Sequence, residues 1–99
     1  MTFSEITEQI RSTAAKAPSL GNSLKFQFDE GVVHVDMTGD SAVVTNEDKD
    51  SDTTIITSIE TFNNLRSGSL NPMMAVMTGK VKIKGDMGVA MKLQSLMGG

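Results

Sequence analysis

Six of the eight methionines in this 99-residue chain fall between Ile59 and Met97, on short segments either side of Lys80, Lys82 and Lys84. A methionine side chain is unbranched, flexible and polarizable, so several together form an apolar surface that repacks around guests of different shape. Such residues suit binding by burial and dispersion rather than bond-making. They also suit filling an irregular core, and composition leaves both uses open.

Catalysis has little material to work with. The absence of cysteine removes thiolate nucleophiles, disulfides and cysteine-held metal sites. The single histidine, His34, falls on the polar alternation of a strand beside Asp36, and no GxSxG serine accompanies it, so it reads as exposed. Asp48, Asp50 and Asp52 begin like a calcium loop, but Thr53 stands where glycine is required and Ile59 where a bidentate glutamate is required. The stretch reads instead as a solvated acidic hairpin loop. Gly85 and Gly88 make no dinucleotide fingerprint, because Ile83 occupies the first glycine position, and no Gly-Lys-Ser/Thr triplet cradles a phosphate. No enzyme activity, metal or cofactor is expected.

Charge narrows the partners. A net charge of −3 and a pI near 4.9 lack the clustered basic footprint of a nucleic-acid binder. The N-terminal stretch MTFSEITEQIR is acidic without an apolar core, and no run approaches the roughly 20 apolar residues that span a bilayer. A cytoplasmic protein is expected, with residues 1–99 forming one domain.

Helix and strand signals alternate along the chain. Thr2-Phe3-Ser4-Glu5 is a capping box, followed by Phe3, Ile6, Ile10, Ala14 and Ala17 at helical spacing until Pro18. Leu24, Phe26 and Phe28 alternate with polar residues, as do Val33, Val35 and Met37 after the Glu30-Gly31 turn. Gly39-Asp40 turns into a third strand over Ala42 to Glu47, giving an antiparallel meander, and a fourth strand covers Thr53 to Thr57. Thr57-x-x-Glu60 caps a helix that ends near Gly68, and Asn71-Pro72 starts another that closes at Gly79. Lys80 to Lys84 alternate as a fifth strand, and Asp86 caps a last helix from Met87 to about Met97. Alternation wets one sheet face, so the expected fold is α+β, a single five-stranded, mostly antiparallel sheet covered on one face by helices.

The run from Asn71 to Leu93 resembles the hallmark of sterol carrier protein 2 domains. It holds a Pro-initiated helix, the strand Gly79-Lys80-Val81-Lys82-Ile83-Lys84-Gly85 and the helix Met87-Gly88-Val89-Ala90-Met91-Lys92-Leu93 in the family's order. Asp52 to Ile56 and the Phe62 to Gly68 helix are also similar, so the likeness covers roughly Leu20 to Met97. It implies a hydrophobic tunnel between sheet and helices that holds fatty acids, fatty acyl-CoA, phospholipids, sterols or isoprenoids. It also implies an intracellular carrier. The alternatives are an accessory protein presenting a lipophilic biosynthetic intermediate, such as a quinone precursor, to partner enzymes, and an acyl-thioester enzyme. Any enzyme served by the chain is then a separate partner, and the short stretch after the last helix leaves tunnel closure and dimerisation through that end open.

The candidate ligand lining is Phe62, Leu65, Met73, Met74, Met77, Ile83, Met87, Met91 and Gln94. Gln94 ends the methionine stripe of the last helix, where a buried amide needs a partner such as a ligand headgroup. Lys80, Lys82 and Lys84 are read as protecting an edge strand and aiding solubility. They also leave room for transient contact with anionic membrane. Whether the protein is a monomer or a homodimer is left open.

Overall fold

The computed structural model describes residues 2–16 and 21–88. Along the chain run α1 (Phe3–Lys16), β1 (Ser23–Phe28), β2 (Gly31–Asp36), β3 (Val43–Thr45) and β4 (Thr53–Ile56). They are followed by α2 (Ile59–Ser67), α3 (Pro72–Met77) and β5 (Lys82–Gly85). Ala17, Pro18 and most of the expected last helix lie outside the described residues.

The α1 capping box forms as its sequence dictates. The Glu5 N–H donates to the Thr2 hydroxyl at 3.2 Å while the Thr2 N–H donates to the Glu5 carboxylate at 3.1 Å. Contacts with Thr2, its backbone N–H first, hold the Glu5 carboxyl below its ordinary value. The helix then turns Ile6, Ile10 and Ala14 into the core. Two polar tethers fix its position. Arg11 donates to the Val44 carbonyl at 3.2 Å, and the Asn46 amide donates to the Thr7 hydroxyl and to the Val32 carbonyl at 3.1 and 3.0 Å.

The strands form a single sheet in the order β3-β2-β1-β4-β5. The expected meander is present, and β4 joins the other side of β1 in parallel, so the sheet is mixed. Residues directly opposite one another share a face. The register therefore aligns Val44, Val35, Leu24 and Thr53 in one inner row, and Val33, Phe26, Ile55 and Ile83 in the next. Against this face all four phenylalanines of the chain gather. Phe62 of α2 meets Phe26 and Phe28 edge-on at 5.6 and 5.7 Å, and Phe3 of α1 meets Phe28 at 6.2 Å.

Three local expectations are corrected. The cap of α2 is Ser58, whose hydroxyl accepts from the Thr61 N–H at 3.0 Å, and not Thr57. The Thr57 hydroxyl instead donates to the Lys80 carbonyl at 3.1 Å, joining the exit of β4 to the approach of β5. Lys80 and Val81 accordingly precede β5 rather than belonging to it. The third strand is also shorter than expected, ending at Thr45.

The largest correction concerns the outer face. Because β4 sits beyond β1, the segment after β3 cannot be a hairpin loop and must cross the sheet as a strap. His34 Nε2 donates to the Asp50 carbonyl at 3.0 Å, and Lys25 pairs with Asp48 at 2.8 Å. Ser51 donates to the Thr53 carbonyl at 2.9 Å. His34, whose strand alternation reads as exposed, is thus 5% exposed. His34→Ala is expected to cost about 1–2 kcal/mol, from one hydrogen bond and the contacts beneath it. Hydrogen exchange should show the strap amides near Asp50 opening faster, and unchanged exchange there would mean that the histidine does not anchor the strap.

Candidate functional site

The chemistry-bearing part of the molecule is short and built largely from backbone signals. Asn71 takes the N-cap position of α3, its side chain accepting from the Met73 N–H at 2.8 Å, and Pro72 follows at the first turn, where a missing N–H costs nothing. At the other end the Thr78 N–H donates to the Met74 carbonyl at 2.9 Å. The chain then doubles back, and the N–H groups of Lys80 and Val81 both donate to the Ala75 carbonyl, at 2.9 and 3.2 Å. This places α3 at the entrance of β5.

The phase of α3 follows from one small residue. Ala75 is fully buried, and with 3.6 residues per turn Met73 and Met77 lie on the side away from it. They are 66% and 78% exposed. Met74 and Val76 flank them and are also exposed. A helix that is apolar on every side, with Ala75 buried and Met73, Met74, Val76 and Met77 exposed, leaves most of its apolar surface without a protein partner among the described residues.

The other expected lining residues occupy different surroundings. Phe62 is buried in the aromatic cluster of the sheet, and Leu65 and Ile83 are half-buried against the same core. Ile83 reaches it from β5, opposite Ile55. Met87 is exposed just beyond the far end of β5, where Asp86 Oδ1 accepts from the Gly88 N–H at 2.8 Å as a helix cap does. Met91 and Gln94 lie outside the described residues. The structure therefore brings Phe62, Leu65 and Ile83 to one core and sets Met73, Met74 and Met77 together on α3. Val76 was not singled out in the sequence. Its exposure follows from the helical phase set by Ala75, a signal that the sequence holds but that becomes usable only once the buried residue is known.

Polar chemistry lies elsewhere and is local. Asp48 is engaged by Lys25, while the Asp52 carboxylate accepts from the Ser23 N–H at 3.0 Å and the Asn22 amide at 3.4 Å. Asp36 accepts from Thr38, and these bonds, the hydroxyl first, hold its carboxyl below the usual range. Carboxylates so occupied serve turns and strand ends. Lys82 and Lys84 are exposed on β5, the edge strand, on the face opposite Ile83. Among the described residues no helix is long and apolar enough to cross a membrane.

Comparison with known proteins gives a consistent result. Human sterol carrier protein 2 is 34% identical over 105 residues, which cover 97% of this chain and 19% of that protein. The chain thus spans about a fifth of the length of the curated relative that it matches. The solution structure of the sterol carrier protein domain 2 of Helicoverpa armigera superposes with a TM-score of 0.78 at 26% identity, covering 94% of this chain and 83% of that one. Palmitated SCP2L2 from Aedes aegypti superposes with a TM-score of 0.71 at 21% identity, covering 98% and 95%. With its five-stranded mixed sheet, its helices and a match of residues 3–98 to the family's model, the chain belongs to the SCP-2 sterol transfer family.

Proposed function

We propose that this chain binds and carries a hydrophobic ligand, an acyl chain, sterol or isoprenoid, between its sheet and its helices, without transforming it. The observation that carries this reading is the apolar surface of α3, on which Ala75 is buried while Met73, Met74 and Met77 face outward. Membership of a sterol transfer family supports it, as does the palmitate borne by the similar Aedes protein. Magnitudes favour lipid over a polar metabolite. Burying about ten methylenes at about 0.8 kcal/mol each yields roughly 8 kcal/mol, the micromolar range before ordering costs are subtracted.

In this mechanism α3 acts as a lid. It swings on the Asn71 and Thr78 ends, the ligand exchanges its hydrated surface for methionine, leucine and isoleucine side chains, and closure shields it until delivery. Phe62 and Ile83 form the floor, Leu65 the wall, and Met73, Met74, Met77 and Met87 the adaptable cover. Met91 and Gln94 are the further candidates read from the sequence, Gln94 as a partner for the ligand's polar end. The strap carboxylates and His34 have structural duties and take no part in chemistry.

Native mass spectrometry after incubation with palmitate and palmitoyl-CoA tests the reading directly, and a mass that stays that of the bare chain would overturn it. A variant comparison locates the site. Met77→Glu is expected to weaken palmitate binding by about tenfold or more, because the carboxylate must be desolvated or the lid held open. Lys82→Ala, on the opposite sheet face, should change it by less than about twofold, since an exposed charge contributes little. Equal losses in the two variants would remove the methionines from the lining.

A further inference from the structure

We infer that α3 is a reversible oxidation site, at which hydrogen peroxide converts Met73, Met74 and Met77 to sulfoxides and thereby switches ligand binding off. The inference rests on the carrier reading above and adds a regulation to it. Three of the six residues of α3 are methionine, and they are 66%, 53% and 78% exposed. Met37, just past the end of β2, is 2% exposed and supplies an internal reference. Oxidation of a thioether requires the peroxide to reach sulfur, so accessibility separates the two groups.

The reaction balances without any further cofactor. A sulfur lone pair attacks one peroxide oxygen, the S–O bond forms as the O–O bond breaks, and the departing hydroxide takes the remaining proton to leave as water. Sulfur loses two electrons and the peroxide gains them. The product is a polar, chiral side chain in place of a flexible apolar one. On a helix whose outward face must cover a lipid, that change opposes closure, because each sulfoxide oxygen needs a hydrogen-bond partner that an alkyl chain cannot provide.

The way α3 is held makes the modification tolerable to the fold. Among the described residues its attachments include the buried methyl of Ala75, the Asn71 cap and the two backbone bonds to the Ala75 carbonyl. None of these involves a methionine sulfur. The helix can therefore be oxidised while docked, which distinguishes a switch from damage. The two methionine sulfoxide reductases, one for each sulfoxide epimer, draw two electrons from a dithiol that becomes a disulfide, restore the thioether and release water.

The test measures binding of a fluorescent C16 fatty acid to the untreated wild-type chain, to an M87L/M91L parent that keeps the three α3 methionines but not the other two methionines proposed for the lining, and to that parent carrying M73L/M74L/M77L, the last two each before peroxide, after it, and after treatment with both methionine sulfoxide reductases. Peptide mass mapping follows each methionine. The expected result is oxidation of the α3 methionines at least about tenfold faster than Met37, with an unchanged circular dichroism spectrum. The parent's affinity should fall at least about tenfold and return with the two reductases, while the affinity of the parent carrying M73L/M74L/M77L should agree within about twofold before and after peroxide. Unchanged affinity of the parent with α3 fully oxidised would overturn the inference and leave the carrier reading standing. So would an equal loss in the parent carrying M73L/M74L/M77L, a loss of fold on oxidation, or a Met37 rate matching the others. Untreated wild-type protein that fails to bind the probe would instead overturn the carrier reading and, with it, the switch.

Discussion

Phe62→Ala is expected to destabilise the protein by about 3–5 kcal/mol, the range for truncating a buried aromatic ring. The ring is 3% exposed and meets two others edge-on, Phe26 at 83° and Phe28 at 89° between planes. Edge-to-face pairs contribute beyond the area they bury, roughly 0.5–1.5 kcal/mol each. For a domain of this size the loss corresponds to a fall in melting temperature of more than about 12 °C. Ile59 and Thr61 are the other buried residues of α2 and Leu65 is half-buried against the same core, so the ring is the largest of the few side chains that hold the helix to the sheet. Phe62→Leu, which keeps apolar volume but loses the ring geometry, should cost about half as much. Urea denaturation of the two variants checks the pair, and a loss below about 1 kcal/mol for the alanine would mean that α2 docks without this ring.

Much of this architecture was legible because its signals are local. A capping box satisfies its own two donors whatever surrounds it, so Thr2 and Glu5 announce the start of α1 without help from the rest of the chain. Asn71-Pro72 does the same for α3. Strand alternation likewise identified which residues of β1 and β2 share a face. It could not report what crosses the other face. His34 alternates as a wet residue should, yet the strap from β3 to β4 lies over it, and that route depends on β4 pairing with β1 rather than with β3. No residue between Asn46 and Asp52 encodes that choice by itself.

The candidate site divides in a similar way. A methionine-rich helix is visible in the sequence as an apolar segment, but nothing in Pro72–Met77 marks which side meets the body, because every side is apolar. The decision falls to Ala75, the smallest residue of the six and so the one that lets the backbone come closest. Thr57 and Ser58 show the same limit at shorter range. Both are good caps, and the difference is made by Lys80, whose carbonyl engages Thr57 from 23 residues away.

Gly85→Ala is expected to be the most damaging glycine-to-alanine change among the described residues, with a loss of about 3 kcal/mol or more. Two independent costs meet at this position. Its φ of 101° lies where a Cβ is disfavoured by roughly 1–2 kcal/mol. The added carbon would also stand 2.2 Å from the Asp52 carbonyl oxygen, a backbone atom that no rotamer change can move aside. Asp52 O is not free to retreat, since it accepts from the Asp86 N–H at 3.1 Å while the Thr53 hydroxyl donates to the Asp86 carbonyl at 2.7 Å. The clash must then be relieved by displacing β5 from β4, which draws Ile83 away from Ile55 and tilts the segment that follows α3. Gly79→Ala, also at positive φ but with open space around its Cβ, isolates the backbone term and should cost only about 1–2 kcal/mol. Thermal melts of the two variants side by side separate clash from conformation, and equal losses would mean that β5 has room to shift without detaching from the sheet.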